Sequence, residues 1–252
     1  MMSKFKTKII KNIEALKPKL SQKIDKKMSN IAKLNKSQKA DGSLVTEVDL
    51  LISNEIKQFV KKEFPEFSFY SEEDQECMKY PVCVLDPVDG TKELLRGSSE
   101  WVISFGMYFS NRLDDPRNFS WIYNPQTQFE ISSESVSKAQ TKSDQKILQG
   151  YVSRSEFESG LHVDTNTVCF KAVGSIAYKL ALLAKGQCDF VLTKKAKNIW
   201  DIMAGTHICF LAGHEFYFQL QKCFIMEELA YDAPMIWTRS KNISKLKESI
   251  EK

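Results

Sequence analysis

The sequence predicts a mixed fold of α and β structure packed in layers, because helix-like segments alternate along the chain with short apolar runs typical of strands. Residues 5–34 place apolar side chains three or four positions apart, which is the helical period. Val82 to Leu85 form an unbroken apolar run, as expected of a strand buried on both faces. The 252 residues, of which 42% are hydrophobic, are enough to build a large core.

The elements of the first part of the chain follow from periodicity and from helix breakers. Pro18 should kink or split the first helix, because proline removes a backbone donor. A second helix should begin near Asp49 and end at Pro65. The other elements predicted before residue 146 are strands at 67–70, 82–85, 101–109, 119–123 and 129–132 and a short helix from Thr91 to Leu95.

Residues 133–145 are rich in Ser, Lys and Gln and predict an exposed connection. We therefore divide the chain into an N-terminal α+β part, 1–145, and a C-terminal α/β part, 146–252, which together form one compact unit. The elements predicted in the second part are strands at 146–153, 169–173 and 188–193 and helices at 176–185, 200–212 and 243–252.

Composition excludes several classes of protein. No apolar run approaches the roughly 20 residues that cross a bilayer, the longest lying around Leu180 to Ala184. The Lys-rich N-terminus lacks the apolar stretch of a secretory signal, so we expect a cytoplasmic location. The cysteines include no C-x-x-C pair and the histidines lack ligand spacing, which argues for reduced thiols and against a zinc site.

The lysines of the first helix have two interpretations. They could bind nucleic acid or another anionic surface, or they could form a solvated helix face. The net charge of +4 is too small to decide between the two. We favour the solvated face and expect no nucleic-acid partner.

Asp86 and Asp89 are the most informative acids, because a buried strand delivers both of them to one turn. Pro87 fixes one torsion of that turn, and Gly90 permits it to be tight. The helix that starts near Thr91 offers free N–H groups that suit a phosphate. Two acids so close would repel without a cation, and Mg²⁺ prefers such oxygen ligands. The D-x-x-D-G-T spacing differs by one residue from D-x-D-G-T, so activation of water by a metal is favoured over an aspartyl nucleophile.

Other acids at the ends of elements are Asp49, Glu72, Glu73 and Asp201. Each acid also has a structural interpretation. Asp49, Asp89 and Asp201 could cap the helices that follow them, and Glu72 to Asp74 could form a solvated turn. Each segment alone is weak evidence, whereas their combination and order favour a functional site.

That order resembles the lithium-sensitive, Mg²⁺-dependent phosphomonoesterases of the inositol monophosphatase family. The matching segments are K-A-D-G-S-L-V-T-E-V-D at 39–49, S-E-E at 71–73, L-D-P-V-D-G-T-K-E at 85–93, G-S at 174–175 and W-D-I-M-A-G at 200–205. They cover most of the chain, and D-P-x-D-G-T with a distant W-D-x-x-A-G is highly specific. The resemblance implies a layered α-β-α-β-α sandwich of the sugar-phosphatase type, with the active site between the two parts.

The resemblance also implies a magnesium cofactor of two to three ions. One ion would be held by Glu72, Asp86 and the backbone carbonyl of Val88. A second would be held by Asp86, Asp89 and Asp201, with Asp86 bridging the pair. A third, weaker ion would lie near Glu72.

The remaining matched residues would act on water and phosphate. Asp49 and Thr91 would orient the attacking water, with Glu73 supporting them from behind. The backbone N–H groups of Gly90 and Thr91 would bind the phosphate.

Three segments are most like the 3'(2'),5'-bisphosphate nucleotidase branch, which converts 3'-phosphoadenosine 5'-phosphate to AMP and phosphate. They are D-G-T-K-E at 89–93, V-S-R-S at 152–155 and G-S-I-A-Y-K at 174–179. The residues expected at the substrate are therefore Gly90, Thr91, Arg154, Gly174, Ser175 and Lys179. The chain departs from the branch at Glu156, which replaces a histidine, and at the lysine of the later motif, which is either displaced by one position to Lys179 or replaced by Tyr178. The cations available to an anionic substrate, each of which could instead be solvated surface, are Arg154, Lys179, Lys194, Lys195 and Lys197.

Three functions therefore remain open. The first is a bisphosphate nucleotidase, and the second is a phosphatase of the same chemistry acting on inositol monophosphate or another sugar phosphate. Both imply a small anionic phosphate ester as the partner. The third is a non-catalytic protein that binds anions or nucleic acid, and the presence of every expected acid counts against it. The oligomeric state is not predicted.

Overall fold

The computed structural model describes residues 2–29, 36–38, 44–75, 77–138, 146–160, 164–232 and 234–250. The segment Lys39 to Ser43 of the first matching motif lies outside these ranges, as does most of the predicted connection at 133–145. The helices are α1 Met2–Met28, α2 Glu47–Glu63, α3 Thr91–Leu95, α4 Arg154–Glu158, α5 Ile176–Ala184, α6 Ile199–Leu211 and α7 Ile243–Ile250. Within the described part of the chain, no helix is long and apolar enough to cross a membrane.

The strands form two large sheets and two small ribbons. The strands of the five-stranded sheet, in chain order, are β3 Ser68–Ser71, β4 Val82–Asp89, β5 Val102–Tyr108, β6 Phe119–Asn124 and β7 Phe129–Ser132. Those of the six-stranded sheet are β8 Leu148–Ser153, β9 Val168–Val173, β10 Phe190–Thr193, β12 Glu215–Phe218, β13 Gln221–Cys223 and β15 Met235–Thr238. The ribbons pair β1 Lys36–Gln38 with β2 Leu44–Thr46 and β11 Lys197–Asn198 with β14 Ala230–Tyr231.

The side chains of β4 point alternately to the two faces of the five-stranded sheet, and both faces are covered by helices. Cys83 and Leu85 pack in the core cluster that contains α1 and α2, whereas Val82 and Val84 pack in the cluster that contains α5 and α6. Successive side chains of a strand point to opposite faces, so a strand buried on both faces must be apolar throughout. The predicted buried strand is therefore confirmed.

The second sheet is covered in the same way. Its Trp237 packs against α5 and α6, while Phe190 and Ile236 on its other face pack against Leu246 of α7. The order of layers is α1 and α2, five-stranded sheet, α5 and α6, six-stranded sheet, α7. This is the α-β-α-β-α sandwich that the resemblance implied. The division at residue 145 stays a prediction, although the first sheet ends at Ser132 and the second begins at Leu148.

Three predicted boundaries differ from the structure. The first helix runs unbroken from Met2 to Met28, so Pro18, which was expected to kink or split it, does not split it, and residues 30–34 of the helical pattern lie outside the described ranges. Pro18 is exposed, so water can reach the carbonyl that loses its helical partner. Helix α2 begins at Glu47, because Thr46 caps it and Asp49 lies inside its first turn. Strand β4 continues through Asp89 instead of ending before Asp86.

The lysines of α1 make ion pairs along the surface of the fold. The pairs are Lys6 with Glu134, Lys17 with Glu130, Lys23 with Glu55 and Lys27 with Glu47. Exposed pairs of this kind contribute at most about 1 kcal/mol each. They favour the interpretation of α1 as a solvated helix face over a surface for nucleic acid.

Candidate metal centre

A cavity of about 500 Å³ is lined by residues from both parts of the chain, a size that suits a small organic ligand. The predicted site residues that line it are Glu72, Asp86, Val88, Asp89, Gly90, Thr91, Arg154, Gly174, Ser175, Lys179 and Asp201. Two predicted residues do not line it. Asp49 lies behind Thr91, and Glu73 borders a separate surface depression beside Lys57.

Strand β4 presents both Asp86 and Asp89 to the cavity because its pairing with β5 is irregular between them. Asp86 lies opposite Ser104 and Asp89 opposite Val102, so the register shifts at this point. In a regular strand, residues three positions apart would point to opposite faces. The Oδ1 atom of Asp86 also accepts a hydrogen bond of 3.0 Å from the N–H of Val88, which holds the turn.

Gly90 turns the chain from β4 into α3, and no other residue suits its position. Its φ of +103° lies in the left-handed region. A Cβ atom there would also lie 3.2 Å from the Cβ atoms of Ser175 and Trp101. Gly90, and not Asp89, is the N-cap of α3. The interpretation of Asp89 as the cap of that helix was wrong.

Asp49 and Thr91, predicted to act together, are in contact. The Thr91 hydroxyl lies 3.2 Å from Asp49 Oδ1 and donates toward it. The other carboxylate oxygen, Oδ2, accepts hydrogen bonds from the backbone N–H of Thr46 at 2.8 Å and from its hydroxyl at 2.5 Å. The capping interpretation of Asp49 is therefore correct in part, because the carboxylate closes a capping box while it also holds Thr91.

Asp201 occupies the same position in α6 that Asp49 occupies in α2. Its Oδ2 atom accepts a hydrogen bond of 2.9 Å from the N–H of Asn198, the N-cap residue. The same carboxylate lines the cavity. The capping role thus fixes the orientation of an acid at the cavity wall.

Burial and mutual repulsion make these acids resist ionisation. Burial raises the pKa of Asp49 to about 6 and that of Asp201 to about 7, and neighbouring acids add to both shifts. Asp86 is affected most, because burial and then Glu72 and Asp89 raise its pKa well above the usual range. A bound divalent cation would remove this repulsion.

The donors around the cavity fit Mg²⁺. Glu72, Asp86, Asp89 and Asp201 offer carboxylate oxygens and Val88 a carbonyl, the hard ligands that this ion prefers. Within the described ranges, no three His, Cys, Asp or Glu side chains already meet as a complete binding group. Water and substrate oxygens would complete the coordination, as is usual for Mg²⁺.

Arg154 lies at the cavity wall between two acids. Its Nε atom is 3.4 Å from Glu93 Oε2, and Nη2 bonds Glu100 Oε2. The same Glu100 oxygen accepts a hydrogen bond of 2.8 Å from the N–H of Gly174. A Cβ atom at Gly174 would lie 2.6 Å from the Glu100 carbonyl oxygen, so this close approach requires glycine.

Lys179 is buried, and the interpretation of this residue as solvated surface was wrong. Its ammonium donates to the backbone carbonyls of Val173, Gly174 and Ser175, at 3.3 Å for Val173 and 3.1 Å for Ser175. Burial lowers its pKa to about 8, while the charge of Asp89 acts in the opposite direction. The lysine therefore supports the turn before α5 as well as lining the cavity.

Sequence reasoning did not assign a role to Glu156, which is fully buried beside the cavity. Its carboxylate accepts hydrogen bonds from the Ser153 hydroxyl at 2.5 Å, the Thr193 hydroxyl at 3.2 Å and the Lys194 N–H at 2.5 Å. The pattern S-x-x-E at 153–156 is typical of a capping box and could have predicted a short helix there.

A family model described as the inositol monophosphatase family matches residues 6–217 of the chain. Among curated proteins, Nus factor SuhB of Vibrio cholerae is 26% identical over 220 residues, which cover 77% of this chain and 79% of that protein. The 3'(2'),5'-bisphosphate nucleotidase CysQ of Buchnera aphidicola is 27% identical over 200 residues, 71% of this chain and 73% of that protein.

Solved structures share the fold at lower identity. The extragenic suppressor protein suhB of Bartonella henselae superimposes with a TM-score of 0.77 at 17% identity and covers 97% of this chain and 98% of its own. An IMPase/NADP phosphatase in complex with Mg²⁺ and phosphate gives a TM-score of 0.73 at 16% identity, covering 95% of each chain.

Proposed function

The chain belongs to the inositol monophosphatase family and is a metal-dependent phosphatase, and we propose that its substrate is 3'-phosphoadenosine 5'-phosphate, hydrolysed to AMP and phosphate. The observation that carries this proposal is the composition of the cavity wall. Five cationic residues line the cavity that also contains the metal-ligand acids, namely Lys92, Arg96, Arg154, Lys179 and Lys197. A substrate with two phosphates is matched by such a wall.

The acids would hold Mg²⁺ in the arrangement that the family resemblance implies. Glu72, Asp86 and the Val88 carbonyl would bind one ion, and Asp86, Asp89 and Asp201 a second, with a third and weaker ion near Glu72. Bound Mg²⁺ supplies activation of water and stabilisation of the leaving oxygen. Uncatalysed hydrolysis of phosphate monoesters is among the slowest reactions that enzymes accelerate, so both contributions are needed.

The residues of the chain itself would position the water and the phosphate. The Thr91 hydroxyl donates toward Asp49 over 3.2 Å, and its oxygen would accept a hydrogen bond from an attacking water. Glu73 would support Asp49 from outside the cavity, since its charge is among those that raise the pKa of Asp49. The backbone N–H groups of Gly90 and Thr91 would bind the phosphate.

A second group of cavity residues would contact the leaving group of the substrate. These residues are Arg154, Gly174, Ser175 and Lys179. The relative named CysQ supports a nucleotide as that group. A second candidate, a phosphatase of inositol monophosphate or another sugar phosphate, is favoured by the pairing of Arg154 with Glu93 and Glu100, which offsets its charge. The cytoplasmic location expected from the sequence stays a prediction.

Phosphate release by the purified protein with Mg²⁺ tests the proposal. We expect higher kcat/KM for 3'-phosphoadenosine 5'-phosphate than for inositol 1-phosphate, and loss of both activities in Asp89→Asn and in excess EDTA. Preference for inositol 1-phosphate would favour the second candidate. Release from neither ester would contradict both.

A further inference from the structure

Lys197 lies at the cavity on a backbone that two elements hold in place. Strand β11 pairs with β14, so that Lys197 lies opposite Tyr231. The N–H of Ile199 donates a hydrogen bond of 2.8 Å to the carbonyl of Leu229. Helix α6 follows at once and carries Asp201. The position of Lys197 relative to the metal-ligand acids is therefore fixed by the same segment that fixes Asp201.

The other cations that line the cavity are already engaged or lie at its exposed edge. Lys179 is bound by three carbonyls, Arg154 by two carboxylates, and Arg96 by Glu93 at 2.9 Å. Lys92 is exposed. Within the part of the chain that the structure describes, Lys197 is the half-buried cation of this wall whose side chain makes no hydrogen bond or ion pair.

The charge balance of the cavity leaves Lys197 available to a substrate. Its charge acts on Asp89 and Asp201 and opposes the effect of burial on both carboxylates. When two Mg²⁺ ions are bound, their charge equals that of the four acids Glu72, Asp86, Asp89 and Asp201. The phosphate to be hydrolysed would be held by the ions, and Lys197, which lines the same cavity, would then be available to a further anionic group of the substrate. A half-buried ammonium without a partner favours an anion, because desolvation strengthens their attraction.

We propose that Lys197 binds the second anionic group of the substrate and so selects esters whose leaving group carries a further phosphate. The role expected from sequence for Lys179 would thus be taken by Lys197, a second lysine that lines the same cavity, while Lys179 supports the turn at 173–175. This inference rests on the proposed function, because it assigns the contact that would distinguish a bisphosphate from a monophosphate.

Two substrates that differ only in the second phosphate test the inference. Phosphate release from 3'-phosphoadenosine 5'-phosphate and from adenosine 3'-phosphate is measured at one Mg²⁺ concentration for wild type and for Lys197→Met, Lys197→Arg and Lys195→Met. Lys195 is the matched control, because it is exposed, does not line the cavity and lies two positions away.

We expect Lys197→Met to lower kcat/KM for the bisphosphate by about ten- to a hundredfold, the range for a hydrogen bond to a charged group. Activity on adenosine 3'-phosphate should change by less than about threefold, Lys197→Arg should keep most of the preference, and Lys195→Met should behave as wild type. Equal loss on both substrates, or no loss on either, would overturn the inference.

Binding of the product separates this inference from the proposed function. AMP retains the second phosphate and adenosine lacks it, so calorimetry with both ligands needs no turnover. We expect Lys197→Met to weaken AMP binding about tenfold and to leave adenosine binding unchanged. If wild type prefers inositol 1-phosphate in turnover, the proposed function fails. If wild type binds AMP and adenosine equally, or Lys197→Met binds AMP as wild type does, the role of Lys197 fails.

Discussion

The Ser175 hydroxyl donates a hydrogen bond of 2.5 Å to Asp89 Oδ2, and so joins the N-cap of α5 to an acid of β4 that is proposed to hold a metal ion. The same oxygen accepts the N–H of Ala177 at 2.5 Å. Ser175 in turn accepts the N–H of Tyr178 at 2.9 Å as the N-cap of α5. One serine therefore both starts a helix of the second part of the chain and orients an acid of the first part.

Replacement of Ser175 by alanine should affect both stability and metal activation. Loss of the N-cap should lower the free energy of unfolding by about 1 kcal/mol. Loss of the bond to Asp89 should raise the Mg²⁺ concentration for half-maximal activity about tenfold, as is usual for groups that orient a metal ligand. Thermal unfolding and a Mg²⁺ titration of activity measure the two effects.

Ser153→Ala is the control for this change, because Ser153 also caps a helix at the cavity but contacts Glu156 instead of Asp89. Ser153→Ala should lower the free energy of unfolding, while the Mg²⁺ concentration for half-maximal activity, the Mg²⁺ midpoint, should stay near that of wild type. Equal midpoints for Ser175→Ala and Ser153→Ala would contradict the role of Ser175 at the metal.

Asp201→Asn should stabilise the metal-free protein at neutral pH. Burial raises the pKa of Asp201 to about 7 from an ordinary value of 3.8, so ionisation is penalised in the folded state only. A raised acid pKa means that the folded state holds a proton that the unfolded state releases, and stability falls as pH rises from about 4 to 7. In EDTA, the free energy of unfolding of the asparagine variant should therefore exceed that of wild type by roughly 2–4 kcal/mol at pH 8. At pH 4 the two free energies should be almost equal.

Denaturant unfolding of both proteins across this pH range is the measurement. His207 and His214 titrate in the same window with the opposite sign, since burial lowers the pKa of each to about 4, but they are common to both proteins and cancel in the difference. Added Mg²⁺ should reverse the order by stabilising wild type alone. A difference that does not change with pH would contradict the prediction.

Gly90→Ala should lower the stability of the fold by more than the strain of a left-handed backbone conformation alone would explain. Gly97 has a comparable φ of +71°, but a Cβ atom added there would meet nothing within 4 Å, whereas a Cβ at Gly90 would press on Ser175, Trp101 and the Glu100 carbonyl. We expect Gly97→Ala to lose about 1 kcal/mol of stability with activity retained. Gly90→Ala should lose about 2–3 kcal/mol and most of its phosphatase activity, since the turn between Asp89 and Thr91 must shift. Denaturant unfolding and phosphate release measure the stability and the activity of the two variants. Identical effects of the two substitutions would contradict the role of steric contact at Gly90.

The acids proposed to hold metal could be singled out from sequence because short motifs carry them. Asp86 and Asp89 follow the apolar run from Val82 to Leu85, which predicts a buried strand, and Asp201 lies beside Trp200 in the first turn of an apolar helix. The register shift that brings Asp86 and Asp89 to one cavity could not be predicted, because it depends on the pairing of β4 with β5.

The lysines were harder to assign, for two different reasons. Lys179 lies in Ile176–Ala184, which is apolar on all sides, and that pattern is typical of a buried helix, so its burial could have been predicted. The placement of Lys197 depends on pairing with Tyr231, thirty-four positions away, through two strands of two residues each. Nothing in so short a segment indicates a strand, and only tertiary structure shows that Lys197 is held at the cavity.

Glu156 is a buried carboxylate that holds together the cavity wall proposed to contact the substrate, and its replacement should lower the stability of the fold. Ser153, Thr193 and the Lys194 N–H all donate to it, so it ties the end of β8 to the end of β10. In Glu156→Gln, an amide NH₂ must face some of these donors, which leaves buried polar groups unpaired at a cost of about 2 kcal/mol. Glu55→Gln removes an ion pair with Lys23 at the surface and should cost less than about 1 kcal/mol.

The hydrogen bonds that Glu156 accepts from Ser153, Thr193 and the Lys194 N–H lie at the substrate wall, so Glu156→Gln should affect the substrate and leave the Mg²⁺ requirement unchanged. The segment from Thr193 to Lys197 should become less ordered, so KM for the bisphosphate should rise while the Mg²⁺ midpoint stays constant. Denaturant unfolding, KM and the Mg²⁺ titration together measure this. A shifted Mg²⁺ midpoint with an unchanged KM would mean that Glu156 acts through the acids and not through the wall that carries Lys197.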